Sequence, residues 1–214
     1  MTAPIDFLIS GPLIMKTAVS MDLVNILLKN GKESAKSNLK NDWSLGDIKK
    51  EFKYKDLESW FTPLIQPQIS DYLSSAIEKQ GAEINPNGTK LPTSFTWSID
   101  DLWINYQEKN EYNLPHIHNS SLSFVIWLQI PEELKKESLL PSGATPGSFV
   151  VRYGEFQPFS KNLNSFLPEV ADMIIFPSYC EHYVQHFKSD ITRISAAGNV
   201  SIQLGYDEEI NKEK

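Results

Sequence analysis

Six short runs of aromatic and β-branched residues follow one another through the second half of this chain, at 95–107, 122–130, 148–153, 172–176, 182–187 and 192–204, separated by Pro, Gly and Asn. Runs of this kind read as strands. The chain before them has another texture. Ser20 is placed to N-cap a helix over 21–29 that Asn30-Gly31 ends, and 31–41 is polar and loop-like. Trp60, Phe61, Leu64, Ile65, Ile69, Tyr72, Leu73 and Ile77 then recur at helical spacing across 57–79. Pro63 and Pro67 kink that helix or delay its start, and Gly81 ends it. The apolar stretch 4–20 predicts one or two strands broken at Gly11-Pro12. Helices first and strands afterwards predict a mainly β fold, a barrel or sandwich with helices packed outside it.

A chain of 214 residues is long enough for one well-filled core, so a single domain over 1–214 is expected, with a supporting part over about 1–90 and a β core over about 94–205. The net charge of −7 is dispersed, and the basic pair Lys49-Lys50 is broken at once by Glu51, which argues against a broad nucleic-acid or anionic-membrane surface. A lone cysteine, Cys180, forms no internal disulfide and no cysteine-rich zinc pattern. No apolar run approaches the roughly 18 residues of a membrane span, and the N-terminus lacks the basic region of a signal peptide. A cytoplasmic protein is therefore expected. A homo-oligomer stays open, because nothing in the sequence bears on assembly.

Three of the four histidines lie in two segments, Pro115-His116-Ile117-His118 and Phe176-Pro177-Ser178-Tyr179-Cys180-Glu181-His182. Positions i and i+2 of an extended strand share a face, so His116 and His118 can aim two imidazoles at one point, and a distant strand can bring His182 there. Imidazole suits iron, zinc, copper and nickel, and a few protein ligands with open positions are what oxygen or water chemistry requires. His186 and Cys180 share the parity of His182. His186 ranks second to it, as a surface or supporting histidine, and Cys180 reads as a small buried hydrophobe. Arg193-Ile194-Ser195 begins eleven residues beyond His182. An arginine fork grips a carboxylate with two parallel hydrogen bonds, and a neighbouring hydroxyl adds a third. Arg193, Ser195, Ala197 and Asn199 alternate onto one strand face, where two small residues leave room for a ligand.

These segments, with Trp103-Ile104-Asn105, Tyr112-Asn113-Leu114 and Leu122-Ser123-Phe124-Val125-Ile126-Trp127-Leu128, resemble the iron(II)- and 2-oxoglutarate-dependent oxygenases, specifically the prolyl-hydroxylase-like group that includes small phage-encoded members. The resemblance runs from about 96 to 200. It implies a double-stranded β-helix, or jelly roll, with iron near its mouth. It further implies His116 as first ligand, His182 as distal ligand, and Arg193 with Ser195 on the far carboxylate of 2-oxoglutarate. Asn105, Tyr106 and Trp127 fall where relatives carry cosubstrate-binding residues.

His118 stands where most relatives have a carboxylate, which makes the ligand set one negative charge poorer. Small phage-associated members share this His-x-His, so Fe(II) and 2-oxoglutarate remain the expected cofactors and molecular oxygen the expected cosubstrate. A hydroxylation releasing succinate and carbon dioxide is the activity this implies. The alternatives are a three-histidine zinc site with an activated water, a cupin-type dioxygenase without 2-oxoglutarate, and a non-catalytic jelly-roll binding protein.

Overall fold

The computed structural model describes residues 11–41, 46–80, 92, 94–138, 145–158 and 160–205. The short strand β1 (Met15–Ala18) leads into helix α1 (Met21–Lys36), and the three-residue strand β2 (Glu51–Lys53) precedes helices α2 (Leu57–Trp60) and α3 (Thr62–Gln80). Eight strands follow: β3 (Ser94–Gln107), β4 (Asn113–His116), β5 (Leu122–Gln129), β6 (Phe149–Arg152), β7 (Leu163–Phe166), β8 (Asp172–Pro177), β9 (Glu181–Val184) and β10 (Arg193–Gly205). One helix interrupts them, α4 (Glu132–Ser138), between β5 and β6.

The strands form two antiparallel sheets, one in the order β1-β8-β5-β10-β3-β2 and the other in the order β4-β9-β6-β7. This is a jelly-roll core with flanking helices. Strand β5 shows why it has two buried faces. Leu122, Phe124, Ile126 and Leu128 pack with Leu23, Val24 and Leu27 of α1 and Ile65, Ile69 and Leu73 of α3. The alternate residues Val125 and Trp127 pack with Phe149, Val151 and Val184 of the second sheet. Strand β8 divides in the same way, Met173 and Ile175 against Ile174 and Phe176. A period of two thus sends one set of side chains to the helices and the other between the sheets. Full burial of each large apolar side chain contributes about 1.5–3 kcal/mol.

Ser20 does cap α1, its hydroxyl accepting from the Leu23 backbone N–H at 3.2 Å. The helix does not end at Asn30-Gly31, however, but runs on to Lys36. Gly31 is buried inside it, and a Cβ there would lie 2.3 Å from Ile104 Cδ1. This glycine answers a close approach of helix to sheet, not a cap. Farther on, the predicted helix 57–79 is divided at Phe61, which is fully buried and stacks on Phe124 with ring centroids 5.9 Å apart. Pro63 falls in the first turn of α3, where its missing N–H leaves nothing unpaired, and α3 continues through Pro67. Gly81 and the part of the predicted N-terminal strand before Gly11 lie outside the described residues. Strands β2 and β7 and helix α4 are short elements without a matching signal in the sequence. Among the described residues no helix is long and apolar enough to cross a membrane.

Candidate active site

Strands β4 and β9 are neighbours, and their ladder sets His116 directly opposite His182. A register shift between Asn113 and His116 bends β4 as it leaves the sheet. The His118 N–H then donates to the Ser178 carbonyl at 3.0 Å, tying the outgoing chain to the β8–β9 turn. Three imidazoles meet as a result. Ring centroids lie 4.9 Å apart for His116 and His118, 4.3 Å for His116 and His182, and 5.1 Å for His118 and His182. One nitrogen from each falls within 4.8 Å of the other two, so the trio could hold one metal ion.

Hydrogen bonds and burial both prepare these rings for a cation. His116 Nδ1 lies 2.6 Å from the Leu114 carbonyl and His182 Nδ1 lies 3.0 Å from the Cys180 carbonyl. A carbonyl only accepts, so each Nδ1 carries the proton and Nε2 keeps its lone pair for a metal. Burial, reinforced by His116, pushes His118 down to about 4. Burial and the same neighbour push His182 down to about 3, and burial also lowers His116. All three are therefore neutral at neutral pH, the state in which imidazole ligates. His186 is exposed and stands outside this cluster. Cys180 is buried, its thiol pushed up to about 11 by that burial, and it contributes only its backbone carbonyl.

The same cavity continues between the sheets to the start of β10, lined by Trp103, Asn105, Ser123, Phe149, Arg193 and Ser195 among others. Arg193 is 2% exposed. Burial lowers it to about 10, so it remains a cation at neutral pH. One nitrogen donates to the Gly147 carbonyl at 2.6 Å, but Nε has no partner, and no carboxylate pairs with the side chain among the described residues. A buried, unpaired guanidinium is strongly destabilising and calls for an anion. Trp127 is fully buried opposite Ser195 on the β5–β10 ladder, and its Nε1 also lacks a partner. Its ring meets the cavity-lining Phe149 edge-on at 5.7 Å. Trp127 itself does not line the cavity. The orphaned guanidinium at one end and the three neutral imidazoles at the other match a small dicarboxylate that chelates a metal.

The remaining candidates divide by strand parity. Asn105 lines the cavity, whereas its neighbour Tyr106 points to the opposite face, packs edge-on against Phe52 at 6.2 Å and is not brought to the site. Consecutive residues of one strand cannot share a face, so the expectation that both Asn105 and Tyr106 contact the cosubstrate is corrected for Tyr106. Asn199 is buried but does not line the cavity. Its Oδ1 accepts from Ser123 Oγ at 2.8 Å, and that hydroxyl also contacts Ser178 Oγ at 2.8 Å, so Asn199 reaches the cavity wall only through Ser123. Trp103 also lines the cavity, two residues before Asn105, the spacing that marks a shared face. Its ring lies 5.6 Å from that of His118. Ile48 also lines the cavity, from a segment with no sequence signal.

Residues 101–199, just under half of the chain, match the model of the 2OG-Fe(II) oxygenase family. A viral collagen prolyl hydroxylase from Paramecium Bursaria Chlorella virus-1 is similar in structure at 12% identity, over 87% of this chain and 94% of that one, with a TM-score of 0.52. A prolyl-4-hydroxylase from Pseudomonas putida aligns at 16% identity over 88% and 91%, with a TM-score of 0.53. Both likenesses establish the jelly-roll fold. An oxidoreductase of the 2OG-Fe(II) oxygenase family from Burkholderia pseudomallei aligns at 18% identity and a TM-score of 0.36 over 62% of this chain, which spans 56% of that protein. No curated protein sequence matches the chain. The family match is confined to residues 101–199, the part of the chain that contains the three imidazoles and Arg193.

Proposed function

We propose that the protein is an iron(II)/2-oxoglutarate-dependent oxygenase that hydroxylates a separate substrate and releases succinate and carbon dioxide. His116, His118 and His182 would hold the iron, and Arg193 with Ser195 would hold the far carboxylate of 2-oxoglutarate. Asn105 would offer an N–H group along the cosubstrate's length, with Trp127 packed behind the cavity-lining Phe149. When bound, iron and 2-oxoglutarate supply the oxidising power, using molecular oxygen to decarboxylate the cosubstrate and oxidise a C–H bond. The protein's own part is positional. The Leu114 and Cys180 carbonyls fix two imidazole tautomers, and Phe149, Phe176 and Val184 give the cavity an apolar wall.

The observation that carries this reading is Arg193, a fully buried cation with no anionic partner among the described residues, in one cavity with three neutral imidazoles. A zinc site working through bound hydroxide, or a cupin-type dioxygenase, gives that arginine no task. A binding protein without turnover has no need to keep it beside a metal trio. The His-x-His pair supports placement in the small phage-associated branch. The helices and the six-stranded sheet share one core cluster, which supports a single domain over 1–214. The lone buried Cys180 is compatible with a cytoplasmic location.

Anaerobic calorimetric titration of the iron(II)-loaded protein with 2-oxoglutarate tests the proposal. Saturable binding is expected, weakened about a hundredfold in Arg193→Gln through loss of the charged contact, with iron retained. A native, iron-loaded protein that takes up no 2-oxoglutarate would overturn it.

A further inference from the structure

The segment that runs into β2 spans both sheets. At one end Gly46 bridges to Asn113 and the Asp47 N–H donates to the Tyr112 carbonyl at 2.9 Å, holding the segment against β4. At the other, the Tyr106 N–H donates to the Lys50 carbonyl at 2.9 Å, and Glu51 to Lys53 pair with Asn105 to Trp103 on β3. Between these anchors Ile48 is buried and lines the cavity. The segment therefore walls the gap between the sheets beside the site, although it lies outside the family-matched residues.

Its most unusual residue is Glu51, only 6% exposed in a protein interior. The Asn41 amide donates to one carboxylate oxygen. The Asn105 amide, oriented with its nitrogen toward Glu51, donates to the other at 2.5 Å and accepts through its own oxygen from Trp103 Nε1 at 3.3 Å. The donors run in one direction, Trp103 to Asn105 to Glu51, and Trp103 packs against His118. An ionised carboxylate can only accept, so it forbids the flipped amide. With its oxygen occupied by the indole, the second amide N–H is what Asn105 has left to offer the cavity.

Resting on the proposed 2-oxoglutarate site, we infer that Glu51 is a positioning residue for that site: it fixes the Asn105 amide so that the cavity wall presents a donor to an anionic ligand. An amide at position 51 removes this control, because it offers N–H as readily as C=O, and Asn105 is then free to turn its oxygen inward.

Two readouts test this, both in mildly alkaline buffer where Glu51 is ionised. In the metal-free, ¹⁵N-labelled protein, Glu51→Gln should move the Trp103 indole N–H signal, and in an Asn105→Ala background it should leave that signal where Asn105→Ala alone puts it. In the protein loaded with redox-inert zinc(II), Glu51→Gln should weaken 2-oxoglutarate binding about tenfold with zinc affinity held within about twofold, and should add nothing in the Asn105→Ala background. Equal losses in both backgrounds, or an unmoved indole signal, would overturn the inference. If the native protein binds no 2-oxoglutarate, the functional proposal fails, and the indole measurement still decides whether Glu51 orients Asn105. Should Glu51→Gln not fold, Trp103→Phe removes the opposite partner of the same amide. A loss of 2-oxoglutarate affinity there of about tenfold supports the account, and none overturns it.

Discussion

At the residue scale, the departure from a metal-binding carboxylate at His118 is the sharpest point. His118→Asp adds a negative charge beside a divalent ion. An oxygenase should keep iron and 2-oxoglutarate turnover in this variant, whereas a zinc hydroxide enzyme should slow near neutral pH because the added charge raises the pKa of bound water. Succinate assays on the variant beside the native protein check this. Glu51 gives a second prediction. Burial pushes its carboxyl from 4.5 up to about 7, while the Asn41 hydrogen bond and the Lys53 charge pull it down. The folded state therefore holds this proton more tightly than the unfolded chain, and Glu51 withdraws stability as pH rises from 4.5 to about 7. Denaturant titrations should find Glu51→Gln gaining on the native protein across that window by about 1–3 kcal/mol. A constant difference would mean that the carboxyl titrates as it does in water.

At the scale of elements, residue spacing made much of the architecture legible. Strands β3, β5, β8 and β10 could be read in advance because each is long or strongly β-branched, and the six-stranded sheet is built largely from them. The short β2 and β7 take their conformation from partners, so no local pattern announces them. The same limit hid the wall segment, since Gly46, Ile48 and Glu51 acquire meaning only where β3 and β4 pass on either side. Gly31 departs from its expected role for a related reason: a glycine with a neighbouring side chain 2.3 Å from where its Cβ would lie looks, in sequence, like a glycine that ends a helix. Gly46 is the firmer case, because a Cβ would meet the Tyr112 carbonyl oxygen at 2.3 Å and Asn113 Cα at 2.7 Å, both backbone atoms. Gly46→Ala should push the segment off β4, destabilise by about 1–3 kcal/mol and weaken cosubstrate binding. Thermal melts and calorimetry would detect both effects.

At the scale of the whole molecule, the candidate site was readable to the extent that its chemistry lies in side chains at fixed spacing. His116, His118, His182, Arg193 and Ser195 come together in one cavity. Tyr106 falls away by strand parity and Asn199 reaches the wall only through Ser123. A cluster of buried neutral imidazoles also couples stability to pH and to metal. Folding lowers the affinity of His118 and His182 for protons, so the metal-free protein should lose stability as pH falls from 6.5 toward about 4. A bound divalent metal should raise stability by linkage, about 2.7 kcal/mol at a hundredfold excess over its dissociation constant. His182→Ala should abolish that gain, which scanning calorimetry with and without zinc(II) would record.

The most direct measurement of the central claim is succinate formation from 2-oxoglutarate by the iron(II)-loaded protein in air with ascorbate, beside folded His182→Ala and Arg193→Gln. The native protein should form succinate above the protein-free rate, His182→Ala should fall to that rate, and Arg193→Gln should need about a hundredfold more 2-oxoglutarate to approach native turnover. Native protein that is folded and holds iron yet forms no succinate would contradict the account.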